Sequence, residues 1–134
     1  MNKACPVVLR YNNNKLELLA FKHPNGDNQL VKGGIKKGEH LQDACIRELQ
    51  EESGIQAQVV RQLGVWEAHF KNQLWGFCLM HYEGILPDTW EFATKDDGGH
   101  IFSFFWQPLN TPLDDNWSAV IRGAFQYIKN SLAR

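Results

Sequence analysis

Acidic residues at helical spacing constrain this chain more than any other feature. The stretch from Gly33 to Ile55 reads GGIKKGEHLQDACIRELQEESGI, and its second half has the pattern of a helix. At about 100° per residue, Glu48, Glu51 and Glu52 share one narrow sector, because spacings of three and four bring side chains together. Like charges that close destabilise a bare helix by tenths of a kcal/mol per pair, roughly. A sequence that carries such repulsion asks for a cation to relieve it. Ligation by oxygen alone suits Mg2+ or Mn2+, which take a few carboxylates, several waters and substrate phosphates.

The neighbouring positions agree with a helix that packs on one side and binds on the other. Cys45, Leu49 and, further round, Ile46 form the apolar side. Ala44 falls one turn before Glu48 on the acidic face, where a small side chain is expected to leave room for ligand. Arg47 stands four residues after Asp43 and four before Glu51, placed to brace that face by ion pairing. Gly54 is positioned for a left-handed cap that ends the helix. His40 is the expected N-cap, with Asp43 answering its backbone N–H in a capping box. The loop Lys32-Gly33-Gly34 can bring bare backbone against an ion or phosphate.

The spacing runs Gly33, five residues, Glu39, seven residues, Arg47-Glu48-Leu49, one residue, Glu51-Glu52, one residue, Gly54-Ile55. It resembles the signature of the Nudix hydrolases at every fixed position. Seven fixed positions match by chance about once in 10⁸ starts at ordinary residue usage. The resemblance implies an α/β fold, a Nudix-type α/β/α sandwich around a mixed β-sheet. It implies a divalent-metal-dependent hydrolase of a phosphoanhydride bond in a nucleoside diphosphate derivative. The expected substrate is a nucleoside triphosphate, a nucleotide sugar or a dinucleoside polyphosphate. Carried over by position, Glu48, Glu51, Glu52 and the backbone carbonyl of Gly33 hold metal, and Arg47 orients the glutamates. Glu48 takes metal, the role of base, or both; with Glu52 and Arg47 it makes up the expected catalytic set. Glu39 is a supporting carboxylate, grouped with Lys32 and Asp97 on the substrate side.

Two departures from the common pattern add positive charge. Val31-Lys32 stands where many members have Pro-Gly, and it resembles the Pro-Lys-Gly form of dinucleoside polyphosphate and diphosphoinositol hydrolases. Lys32 is therefore either a phosphate contact or an exposed loop lysine. Lys36-Lys37 replaces a common Glu-Pro, near where phosphates would arrive.

Composition bounds the remaining possibilities. A chain of 134 residues can bury a real core, and one domain spanning 1–134 is expected. A net charge of -1 supplies no global field toward nucleic acid or anionic membrane. The expected partner is a small phosphoanhydride, not a polymer. No stretch approaches the roughly 20 apolar residues that span a bilayer. Cys5, Cys45 and Cys78 are odd in number and lack metal-type spacing, so free thiols in a cytoplasmic protein are expected. Cys45 and Cys78 fall in apolar patterns and should be packed. The sequence permits a homodimer and does not decide it.

Along the chain, Pro6–Tyr11 and Leu16–Lys22 read as strands around the turn Asn12-Asn13-Asn14. A loop over 23–28 and a short strand over 29–31 lead into the glycines. Gln58–Glu67 and Gln73–Glu83 are the next strands, and LWGFCLM in the second is apolar on both faces, the pattern of a covered central strand. Residues 84–99 read as a long irregular segment of functional type. Within it Asp97, Asp96 and Glu91, in that order, are candidates for a further carboxylate, against the alternative of a plain Asp-Gly turn. Ile101–Gln107 is the last strand, and Asp115 or Asn116 is expected to cap a final helix carrying Trp117, Val120, Ile121, Ala124, Phe125, Ile128 and Leu132 at helical spacing. Trp66, Phe70, Trp75 and Trp90 are candidates for stacking on a base, weighed against ordinary core packing. A second reading of the whole chain is a non-catalytic Nudix-fold sensor of nucleotides or metabolites. Such modules commonly lose the box glutamates, which are all present here.

Overall fold

Strands that are apolar on both faces must be covered on both faces, and this requirement shapes the molecule. The computed structural model describes residues 1–95 and 98–134. Within Lys15–Lys22, Leu18 and Ala20 join one apolar cluster while Leu19 and Phe21 join another. Successive side chains of a strand point to opposite sides, so one eight-residue strand serves two cores.

In chain order the strands are β1 (Lys3–Val7), β2 (Leu9–Asn12), β3 (Lys15–Lys22), β4 (Asn28–Gln29), β5 (Gly33–Gly34), β6 (Gln58–Glu67), β7 (Leu74–His81), β8 (Trp90–Thr94) and β9 (His100–Pro108). Helix α1 (Leu41–Ser53) follows β5, and α2 (Ala119–Leu132) follows β9. One sheet has the order β5-β1-β7-β6, and the other β2-β3-β9-β8 with β4 paired to β3. The first sheet is mixed: β1 and β7 run parallel, while β1–β5 and β6–β7 are antiparallel. As its composition required, β7 lies inside its sheet, between β1 and β6.

Leu41, Ala44, Cys45 and Leu49 carry α1 onto one cluster, together with Phe102, Phe104 and Trp106 of β9. Ile121, Ala124, Phe125 and Ile128 carry α2 onto the other, against Trp75 and Phe77 of β7. The result is the expected α/β/α sandwich, with its strands divided between two sheets. Cys45 and Cys78 are packed as expected, and Cys5 is buried with them. Burial pushes the Cys5 thiol up to about 12, so it stays protonated at neutral pH.

Several boundaries differ from the sequence reading. The first expected strand is two: Val8 separates β1 from β2, and β2 alone makes the hairpin with β3. Around Gln29 the strand is Asn28–Gln29, and pairing resumes only at Gly33–Gly34. The segment read as irregular contains β8, whose Trp90 pairs with Phe104 and whose Thr94 pairs with His100. Its alternation is short and interrupted by charge, so the strand depends on β9 beside it. The cap of α2 is Ser118, not Asp115 or Asn116: its side chain accepts from the Ile121 N–H at 3.3 Å. Asp114 instead closes a turn on the Asn116 N–H at 3.0 Å, which leaves Trp117 buried but ahead of the helix.

Candidate active site

The acidic side chains are held by a helix that is well anchored at one end and simply capped at the other. Gly54 ends α1 with φ of 80°, and its N–H donates to the Gln50 carbonyl at 3.0 Å. At the start, His40 is the N-cap but makes no side-chain cap bond, so the expected capping box with Asp43 does not form. Ala44 also departs from expectation. It is fully buried in the core, so its small side chain serves close packing and leaves no room for ligand.

Glu48, Glu51 and Glu52 line one cavity of about 530 Å³, with Gly33, Gly34, Arg47, Lys3, Lys32 and Lys36 as its other walls. Its floor is set by a short antiparallel pairing in which Gly34 lies opposite Lys3 and Gly33 opposite Ala4. Glu48 is only 6% exposed, and its carboxyl group fills the space that a side chain at Gly33 would occupy. Glycine there is a steric requirement of the carboxylate.

Arg47 organises the acidic face. Its Nη1 donates to Glu48 Oε1 at 2.7 Å and to Glu51 Oε2 at 3.2 Å. Its Nε and Nη2 donate to the two oxygens of Glu39, each at 2.8 Å, and Nη2 also reaches the Gly34 carbonyl at 2.8 Å. Hydrogen bonds from Arg47, and then from the Lys36 N–H, hold the Glu39 carboxyl down to about 2. Among the described residues Arg47 pairs with Glu51 but not with Asp43.

Glu52 turns the other way and accepts from the Lys32 N–H at 3.3 Å. Lys32 is half-buried, with Nζ on Gln29 Oε1 at 3.1 Å, which excludes the reading of a freely exposed loop lysine. Burial holds its pKa below the usual lysine range, and the Glu52 carboxylate opposes that effect.

The donor set fits a divalent ion: carboxylate oxygens from one rigid helix, a bare glycine backbone and open space beside them. Among the described residues, no three acidic, histidine or cysteine side chains are yet drawn into a closed cage. Glu48 and Glu51 lean on the Arg47 guanidinium, and Glu52 on the Lys32 backbone N–H, so each carboxylate finds a donor of its own outside the acidic group.

The remaining sequence candidates are scattered. Asp97 and Asp96 lie outside the described residues. Glu91 is exposed and lines a separate cavity of about 610 Å³ with Lys22, Trp90 and Phe104. Of the aromatics, Trp75 is fully buried core and Trp66 packs edge-on against it. Phe70 is exposed. Trp90 stacks on Phe104 at 5.0 Å and donates to the Ser53 carbonyl at 3.3 Å. It also lines a cavity of about 830 Å³ beyond the end of α1, which shares no wall with the acidic one. Two contributors escaped the sequence reading. Thr94 ties β8 to α1 through the Glu51 carbonyl at 3.1 Å, and Lys3 reaches the acidic cavity from β1. Both depend on long-range pairing that leaves no local signature.

Comparison with known proteins agrees with this geometry. The family model described as NUDIX domain matches residues 2–126. The chain is similar to Nudix hydrolase 6 of Arabidopsis thaliana, 26% identical over 95 residues, covering 67% of this chain and 31% of that protein. It is also similar to an RNA pyrophosphohydrolase of Bartonella clarridgeiae, 33% identical over 106 residues, covering 74% of this chain and 58% of that protein. It thus spans less than two thirds of the length of either relative. An Ap4A hydrolase structure from C. elegans superposes with a TM-score of 0.68 at 18% identity, covering 98% of each chain. An ADP-ribose pyrophosphatase from Streptococcus suis gives 0.63 at 15% identity, covering 96% of this chain and 90% of that one. At such identities the superpositions speak for the fold alone. The family model, spanning nearly the whole chain and the acidic helix within it, places this protein in the NUDIX domain family.

Proposed function

We propose that the chain is one catalytic domain that hydrolyses a phosphoanhydride bond in a nucleoside diphosphate derivative, using Mg2+ or Mn2+. The observation that carries this reading is the single cavity in which Glu48, Glu51 and Glu52 meet Lys32, Lys36 and the Gly33–Gly34 backbone. Carboxylates suit a divalent ion, lysines suit phosphate oxygens, and glycine lets both approach the main chain. The names of the relatives and neighbours support the same substrate range: RNA pyrophosphohydrolase, Ap4A hydrolase and ADP-ribose pyrophosphatase.

Glu48, Glu51, Glu52 and the Gly33 carbonyl would hold the ion, which neutralises phosphate charge and lowers the pKa of an attacking water. Arg47 orients Glu48 and Glu51 through the bonds at 2.7 and 3.2 Å. Glu48, nearly buried and fixed from two sides, is assigned the proton of the attacking water. Lys32 and Lys36 compensate the charge of the departing phosphate.

A screen of phosphoanhydrides with Mg2+ or Mn2+ tests this directly. Dinucleoside polyphosphates, nucleoside triphosphates and nucleotide sugars should between them include at least one substrate. Glu48→Gln and Glu52→Gln should each lower turnover about a hundredfold or more, the scale of a lost electrostatic or acid–base group. Turnover untouched by both substitutions would remove the mechanism. Nucleotide binding without any turnover would favour the sensor reading.

A further inference from the structure

The last turn of α1 is unfavourable by its own sequence, yet it carries two of the three clustered glutamates. Glu51 and Glu52 stand at the end where the helix dipole is negative, and no basic residue shares that turn to offset them. The final carbonyls of a helix also lack partners within it. Glu51 has the least support of its own. Its side chain is 40% exposed and meets the Arg47 guanidinium at 3.2 Å, whereas Glu48 is buried and held at 2.7 Å. Where a carboxylate is loosely held, the main chain beneath it decides where it points.

Strand β8 supplies what that turn lacks. Trp90, Phe92 and Thr94 alternate along the strand and so share a face, and all three meet the end of α1. Trp90 Nε1 donates to the Ser53 carbonyl at 3.3 Å, and Thr94 Oγ1 donates to the Glu51 carbonyl at 3.1 Å. Between them the Phe92 ring lies over Gly54, where a Cβ atom would come within 2.7 Å of it. Glycine is thus needed there for contact with β8 as well as for the left-handed cap. The turn adds bonds of its own: Ser53 Oγ donates to the Leu49 carbonyl at 2.6 Å, and the Gly54 N–H to that of Gln50. Of these contacts, the one from Thr94 reaches the main chain of a glutamate in the acidic cavity. Thr94 is 4% exposed, so water does not readily replace its hydroxyl.

We propose that Thr94 is a positioning residue for the metal site: its hydroxyl, reaching in from β8, fixes the Glu51 main chain and through it the direction of the Glu51 carboxylate. The inference rests on the metal-dependent reading above and assigns to it a residue remote in sequence from the acidic segment. Threonine suits the place because its branched side chain favours a strand while its hydroxyl reaches across to the helix.

Two measurements on the full chain test it. The first is calorimetric titration with Mn2+. Thr94→Val keeps the branched shape but removes the donor, and should weaken Mn2+ binding about three- to tenfold, the scale of one hydrogen bond. Thr94→Ala should weaken it at least as much, and Thr94→Ser, which retains the hydroxyl, should restore most of the affinity. Ser118→Ala, which removes the cap of α2, should leave Mn2+ affinity at its wild-type value despite its own loss of stability. The second is amide hydrogen exchange in metal-free protein, which reads local opening. The last turn of α1 should exchange faster in Thr94→Val than in wild type, and no faster in Ser118→Ala. Mn2+ affinity unchanged in Thr94→Val, or lowered equally in Ser118→Ala, overturns the proposal. If wild-type protein binds no Mn2+, the metal-dependent reading fails and exchange alone decides the role of Thr94: faster exchange upholds its hold on Glu51, and an unchanged rate overturns it.

Discussion

Arg47 does at one position what several residues would otherwise share. Its guanidinium spans Glu39, Glu48, Glu51 and the Gly34 carbonyl, so one planar fork fixes both ends of the acidic segment. Lysine has the charge but not the geometry. Arg47→Lys is therefore expected to keep the fold while lowering stability by about 1–3 kcal/mol. It should also lower kcat more than tenfold; urea unfolding and steady-state kinetics check the two halves. Gly33 makes the complementary demand, since a methyl group there collides with the Glu48 carboxyl. Gly33→Ala should displace that carboxylate and weaken Mn2+ binding about 10–100-fold, the range for disturbing support around a metal site. Calorimetric titration with Mn2+ reads this without reference to turnover.

The elements divide into those specified locally and those that need partners. Helix α1 carries its own apolar side, Leu41, Cys45 and Leu49, and its own glycine stop. Helix α2 likewise carries Ile121, Phe125 and Ile128 at helical spacing, and Ser118 supplies its cap. Ser118→Ala should cost about 1 kcal/mol, the usual worth of an N-cap, whereas Asp115→Ala and Asn116→Ala should each cost much less. Thermal unfolding of the three variants separates the observed cap from the two positions that composition favoured. Strand β8 belongs to the second kind. It is held by pairing with β9, by the Trp90 bond to Ser53 and by the Thr94 bond to Glu51. Those contacts fix the last turn of α1, where two of the glutamates sit.

For the whole molecule, pH links the site to stability. The folded-state pKa of Glu39 is about 2, against an ordinary value of 4.5. A depressed carboxylate stabilises the folded state fully above its unfolded value, and that contribution is lost as pH falls toward and through the folded one. Stability should therefore decline between about 4.5 and 2 through this group. Glu39→Gln should lower stability at neutral pH and flatten the acid limb over the same window. Denaturant unfolding at successive pH values checks both. An acid limb unchanged by the substitution would show that the Arg47 pairing contributes nothing to folding.

The acidic sector, the bracing arginine, the glycine stop and the two-faced central strand were all determined by sequence alone. Each depends on residues within a turn or two of one another, or on alternation along a single strand, and local spacing dictates such geometry. The role of Ala44 was not legible in this way, because a helical wheel cannot say where the core-facing sector ends and the ligand-facing one begins. Strand β8 was hidden for a related reason: its five residues alternate too briefly to stand out from a loop until β9 supplies hydrogen bonds. Only the tertiary structure brought Lys3 to the acidic cavity, through a β1–β5 pairing between segments far apart in sequence. Helix periodicity is written in the chain, but the meeting of distant strands is decided by which faces bury together.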